Sequence, residues 1–201
     1  FQAYDVDAVI NKAAHGDGVT VPAKLDWSTF TSTGLDLSAA QAALNGTTLG
    51  ALTSSVDLAI DGSVVLNVLS GVLVAKGDFT IALGQVQSAL LPSGVSADAD
   101  AMVLTLSNVG VFVGVGGALL DNNGGAATPT DYSDDTVVNG TLGFGATVGT
   151  LTLVSIKDRG ALPLLGTDDV TYLGVALDDF AGDLVGLESV LEFHAYGVDA
   201  V

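Results

Sequence analysis

The chain has 201 residues, no cysteine, and a formal net charge of -18 from 23 acids against 5 bases. That balance leaves no basic footprint for nucleic acid or for an anionic lipid surface, and the missing thiols exclude disulfides, thiolate metal centres and cysteine catalysis. Of the acids, 21 are Asp and 2 are Glu (Glu188 and Glu192), so the acidity belongs to turns rather than to charged helix faces or a general adaptation to salt.

The predicted elements follow in chain order. Leu37–Leu44 reads as a short helix behind a capping Asp36. Ser55–Asp61 alternates polar and apolar, the period of a half-buried strand, whereas Val64–Val74 is continuously apolar and reads as one central strand. Asp78–Leu83 alternates again, and Gly84–Leu91 reads as a second helix stopped by Pro92. Val103–Ser107 alternates, and Val109–Leu120 is the longest run of apolar residues and glycine. That run is too short to cross a bilayer as a helix, so no membrane insertion is expected. Leu120–Thr136 has the composition of a long surface loop, and Thr150–Lys157 is a further alternating strand. Asn-Gly and Asp-Gly pairs at Asn45, Asp61, Asn123 and Asn139 punctuate these runs as tight turns. Glycines inside apparent strands, among them Gly110, Gly114, Gly143 and Gly145, mark bulges or close approaches. The expected fold is all-β, an antiparallel sandwich or roll with little helix; a β-solenoid is the alternative, although no short rung period is present.

The two extremes of the sequence repeat each other. Residues 1–9 read FQAYDVDAV and residues 193–201 read FHAYGVDAV, with seven of nine positions identical at an offset of 192. Residues 1–192 are therefore read as one tandem-repeat period and residues 193–201 as the start of the next copy. A weaker echo between Asp5–Asn11 and Asp61–Asn67 suggests two related halves inside the period. The apolar and aromatic members of the repeated segment, Phe1, Tyr4, Val6 and Val9 with Phe193, Tyr196, Val198 and Val201, are the expected inter-unit residues.

Catalytic chemistry finds little support. The two histidines are His15, in a turn, and His194, which is Gln2 in the other copy, and no Gly-x-Ser-x-Gly elbow is present. Phosphate-binding glycine spacings are missing, and paired acids such as Asp134-Asp135 and Asp178-Asp179 read as solvated loop residues. The expectation is no catalytic residue, no bound organic cofactor and no enzyme. Ca²⁺ is the one ligand that suits Asp- and Asn-rich loops, since it takes six to eight oxygens. Its expected ligands are Asp121, Asn123, Asp131, Asp134 and Asp135, flanking the long loop.

Taken together, the 192-residue period, the absent cysteine, the Asp-, Gly-, Thr- and Val-rich strands and the acidic pI of about 4.1 resemble repeats of very large secreted bacterial surface proteins, giant adhesins and filament-forming repeat proteins. The resemblance implies an exported all-β repeat, often stabilised by Ca²⁺, that serves as an extender or adhesive stalk. On that footing the chain is a structural repeat of an extracellular or cell-surface array or fibre. Each unit is a folded bead, linked through its terminal strands to neighbouring copies in the same chain or in a polymer. The alternative is an adhesin module that binds carbohydrate, ice or a host surface.

Overall fold

A computed structural model describes residues 1–18, 22–31, 34–46, 52–87, 91–92, 99–122, 131–158 and 169–201. Its main body is a seven-stranded antiparallel sheet built from β1 (Gln2–Ile10), β2 (Val56–Val68), β3 (Leu73–Val86), β4 (Ala99–Val115), β7 (Leu142–Asp158), β8 (Val170–Val185) and β9 (His194–Ala200). The strands lie side by side in that order, a meander in which sequence neighbours are sheet neighbours. Two short strands, β5 (Ala118–Leu120) and β6 (Thr136–Val138), form a second, two-stranded antiparallel sheet on the connection from β4 to β7. Every pairing among the described residues is antiparallel, which fulfils the all-β expectation and leaves no place for a parallel solenoid.

Period-two alternation accounts for the two faces of the sheet. Register carries Ile60, Ile81, Leu104, Leu153 and Val175 along one row, with Gly62, Phe79, Leu106, Leu151 and Leu177 two residues further on. Both rows are apolar and share one face. The opposite face bears Tyr4, Ser63, Asp78, Ser107, Thr150 and Asp178 in a row of hydroxyls and carboxylates. The β5–β6 sheet lies on this second face, with Val137 against Gly110.

The core is small. Phe112 and Val74 are fully buried, and the register pairs them across β3 and β4. Three glycines, Gly114 and Gly143 in strands and Gly117 between β4 and β5, make room for the Phe112 ring: a methyl at Gly114, Gly117 or Gly143 would fall 2.7, 2.4 or 2.9 Å from it. A satellite cluster closes the other end of β1 and β2. Buried Asn11 donates from Nδ2 to the carbonyls of Leu25 and Thr53, and Lys24 pairs with Asp57 at 2.6 Å. Helix α1 (Ser38–Asn45) sits here behind Asp36, whose carboxylate accepts from the Ser38 amide. Gln41 and Asn45 donate from α1 to the Trp27 carbonyl.

Four sequence expectations change. The pair Asp61-Gly62 is not a turn: it lies inside β2, opposite Thr80 and Phe79 of β3. The run Val64–Val74 is a hairpin and not a single strand, because the chain reverses at 69–72 with Leu69 and Ser70 at φ 53°. The second helix does not form over its first residues: Gly84–Val86 continue β3, held by pairing with Ala99–Ala101 of β4, and 88–90 lie outside the described residues. Val109–Leu120 belongs to two strands, since Gly116 at φ 81° breaks β4 from β5.

Candidate functional site

Two features of the fold concentrate chemistry: an acidic pocket under the β5–β6 connection, and the two outer strands of the sheet.

The pocket is built where the connection returns to the sheet. Asp121 follows β5, and Asp134 and Asp135 precede β6, so the short antiparallel pairing brings the three carboxylates together with one oxygen from each within 4.8 Å of the others. Asn122 staples the two arms by donating from Nδ2 to the Asp134 carbonyl at 2.8 Å and the Thr136 hydroxyl at 3.2 Å. Lys76, projecting from β3, donates its ammonium to the carbonyls of Ser133 at 2.9 Å and Asp135 at 2.6 Å. Tyr132 meets Tyr4 of β1, with ring centroids 6.2 Å apart, and its carbonyl accepts from the Tyr4 hydroxyl at 3.1 Å. The connection is thus held to both β3 and β1.

The acids in this pocket are under-compensated. Asp135 is only 7% exposed, and its Oδ1 has no hydrogen-bond partner. Both carboxylate oxygens of Asp134 are likewise buried without one. Burial, and then the neighbouring charges of Asp121 and Asp134, push the Asp135 carboxyl above the ordinary carboxylate range. The adjoining cavity has a volume of about 670 Å³, with Tyr4, Asp78, Asn108, Asp134, Asp135 and Asp179 among its lining residues. Neither histidine lines it. Such a pocket offers hard oxygen ligands and negative potential to a cation, and it would repel phosphate.

The outer strands carry the repeated segment. β1 borders β2 at one edge of the sheet and β9 borders β8 at the other. Both copies bulge at the same place. Between Tyr4–Ser63 and Asp7–Asp61, β1 spends one residue more than β2; between Ala195–Gly182 and Val198–Phe180, β9 spends one more than β8. The fifth residue of each copy takes the left-handed conformation, Asp5 at φ 50° and Gly197 at φ 59°. Asp and Gly are among the residues that tolerate that region, which explains why the copies differ there without differing in path.

β9 is anchored by polar contacts as well as by backbone pairing. The Asp179 amide donates to the Asp199 carboxylate at 2.9 Å. His194 meets Asp183 at 2.5 Å and Glu192 at 3.1 Å, and these two carboxylates, Asp183 first, raise its pKa above the ordinary imidazole value. Phe193 packs on Phe144 at 6.4 Å between ring centroids.

The expected metal ligands fall into three groups. Asp121, Asp134 and Asp135 converge. Asp131 instead closes a local turn, its Oδ1 accepting from the amide and hydroxyl of Ser133. Asn123 lies outside the described residues. Of the expected inter-unit residues, Phe1, Val6, Phe193, Tyr196, Val198 and Val201 are exposed, while Tyr4 and Val9 are half-buried. Lys76 and Tyr132 carry no such expectation from the sequence, and Asn122, part of the run Asp121-Asn122-Asn123, serves as a staple between the two arms. The one available signal was that Lys76 is among only five bases in the chain. No protein-family model, curated protein or solved structure matches this chain.

Proposed function

We propose that this chain is a structural repeat of an extracellular surface array or fibre, joined to neighbouring copies of itself through its terminal strands. The observation that carries the reading is the pairing of sequence identity with position: the two copies of one nine-residue segment form the two opposite edges of the sheet, with the same bulge in each. A protein that works alone has reason to make its edges different and to blunt them, because a bare edge is a template for strand addition. Here the edges are two instances of one strand. A head-to-tail contact that does not close on itself propagates into a filament. The net charge of -18 suits an extended, soluble assembly.

The reading predicts that electron micrographs of the native source surface, labelled with antibody to the chain, show label repeating along linear structures, and that the native particle has a mass of many periods. A native particle with the mass of a single unit and diffuse label would refute it. The acidic cavity favours the alternative, a ligand-binding adhesin module, which would instead show saturable binding of a glycan or host surface by the isolated unit.

A further inference from the structure

We infer that successive units share a strand, so that the array is one continuous antiparallel sheet with six strands per period; this deepens the repeat reading above and rests on it. Four observations converge. Direction comes first: seven antiparallel strands leave β9 running the same way as β1. The faces agree as well. Ala8 shares a face with Ile60 and Gly62, and the row through Gly62 and Phe79 ends, across the sheet, at Leu177 beside Ala200, the counterpart of Ala8. The bulge and its left-handed residue fall at the same place in both copies. The vacant sides are also complementary. With both strands pointing up, β2 lies on one side of β1 and β8 lies on the other side of β9. The open edge of β9 is therefore the one to which β1 binds β2, and the open edge of β1 is the one to which β9 binds β8.

Superposing the two copies of the segment then specifies the junction residue by residue. Val198 lies against the Gly62 of the following unit, as Val6 does within its own. Tyr196, 81% exposed, receives the following Tyr132, as Tyr4 does. Phe1, 85% exposed, takes the place of Phe193 on the preceding Phe144. Asp7 accepts from the preceding Asp179 amide, as Asp199 does. Gln2 faces the preceding Asp183 in the position of His194. At the ordinary strand spacing, six strands advance the array by roughly 29 Å per period, measured across the strands.

The test compares the 201-residue chain with a chain of two complete periods by amide hydrogen exchange over residues 194–200. In the single unit, the amides of β9 that point away from β8 are expected to exchange as fast as open backbone; in the two-period chain, alternate amides pointing both ways are expected to be slowed at least tenfold. Unchanged exchange overturns the shared strand. It leaves the structural role standing if micrographs of the native source still show a repeating array, whereas a single-unit native particle overturns that role whatever the exchange shows.

An independent observation assigns a cation site to Asp121, Asp134 and Asp135, for a hard divalent ion of the Ca²⁺ class. The convergence of three carboxylates is the first part, and the second is the buried Asp135 Oδ1, which no hydrogen bond satisfies. A carboxylate oxygen at so enclosed a position needs a partner; the neighbouring Lys76 ammonium is engaged by the carbonyls of Ser133 and Asp135, and the oxygens that converge with this one are those of Asp121 and Asp134. The ion would lock β5 to β6 and, through Tyr132 and Lys76, hold the connection to β1 and β3.

Calcium alone, added to the 201-residue chain at constant ionic strength, is expected to raise its melting temperature by several degrees, and a chelator to reverse this. Asp135→Asn removes a repelled charge; that variant is expected to melt higher than the parent without calcium and not to respond to it. A calcium response equal in parent and variant, or none in the parent, overturns the site.

Discussion

The Phe112 pocket permits a double-mutant test of why this sheet contains so many glycines. Phe112→Ala deletes a fully buried ring at a point where Gly71, Gly114, Gly117 and Gly143 meet. Removal of a buried Phe side chain costs about 3–5 kcal/mol, and the upper half of that range applies here because the ring lies against backbone that cannot collapse onto the void. For a chain of this size each kcal/mol moves the melting temperature by roughly 2–4 °C, so a fall of roughly 8–20 °C is expected. Gly117→Ala is destabilising for the reciprocal reason: its methyl would meet the ring at 2.4 Å, with the Gly71 carbonyl at 3.0 Å. In the double variant the first clash is gone and only the second remains. The two losses should therefore fall short of additive by about 1–3 kcal/mol, the range typical of residues in contact. Urea unfolding followed by circular dichroism, with constant m-values as the control, measures all four corners of the cycle. Strict additivity, or a Phe112→Ala loss below about 1 kcal/mol, would refute the view that the glycines exist to seat this ring.

Three further expectations concern the site and the edges. Lys76→Met removes two ammonium-to-carbonyl bonds that tie the connection to β3. It should cost about 1–3 kcal/mol, discounted for partial exposure, and should speed amide exchange at Thr136–Val138; unchanged exchange there would contradict the tether. Gly197→Asp should be neutral, because Asp5 already holds the same conformation in the other copy, whereas Gly197→Val should cost about 1–2 kcal/mol; equal melting of the two variants would show that the bulge is not fixed at this residue. The pKa of His194 is raised in the folded chain. Its contribution to stability is therefore complete below the ordinary histidine pKa and fades as pH rises through the raised folded value. His194→Gln, which copies Gln2, should flatten that part of the stability profile between about pH 5 and 8, and an unaltered profile would assign the dependence elsewhere.

The strands were legible because a sheet flanked by water, loop or further sheet keeps period two: Asp78–Leu83, Val103–Ser107 and Thr150–Lys157 lie within strands, and Ser55–Asp61 does so from Val56 onward. The hairpin at 69–72 was masked by the apolar residues on either side and by Leu69 at its first left-handed position; Ser70-Gly71, with Gly71 at φ 93°, is its turn signal, and Asn67, whose side chain accepts from the Gly71 amide, is a fainter one. Gly84–Leu91 resembled a helix by composition, but over Gly84–Val86 cross-strand pairing with β4 overrode that weak local preference. For the acidic pocket, Asp121, Asp134 and Asp135 could be read from loop composition, while Lys76 could not, since only the fold brings it to carbonyls 57 and 59 residues away. The repeated segment was evident as a string. Its placement on opposite edges depends on the number of strands between the copies, which no local pattern encodes.

In the shared-strand array proposed above, the net charge would become a linear charge density. Of the -18, one unit belongs to Asp199 in the second copy of the segment, leaving -17 for each 192-residue period. Spread over roughly 29 Å, this is about one charge per 1.7 Å, the axial density of duplex DNA. Such a ribbon would behave as a polyelectrolyte, gathering a condensed layer of counterions whose divalent fraction far exceeds that of the surrounding medium. Its stiffness, its lateral repulsion from neighbouring ribbons and the occupancy of every acidic pocket along it would then answer to a single external variable, the ionic composition of the water outside.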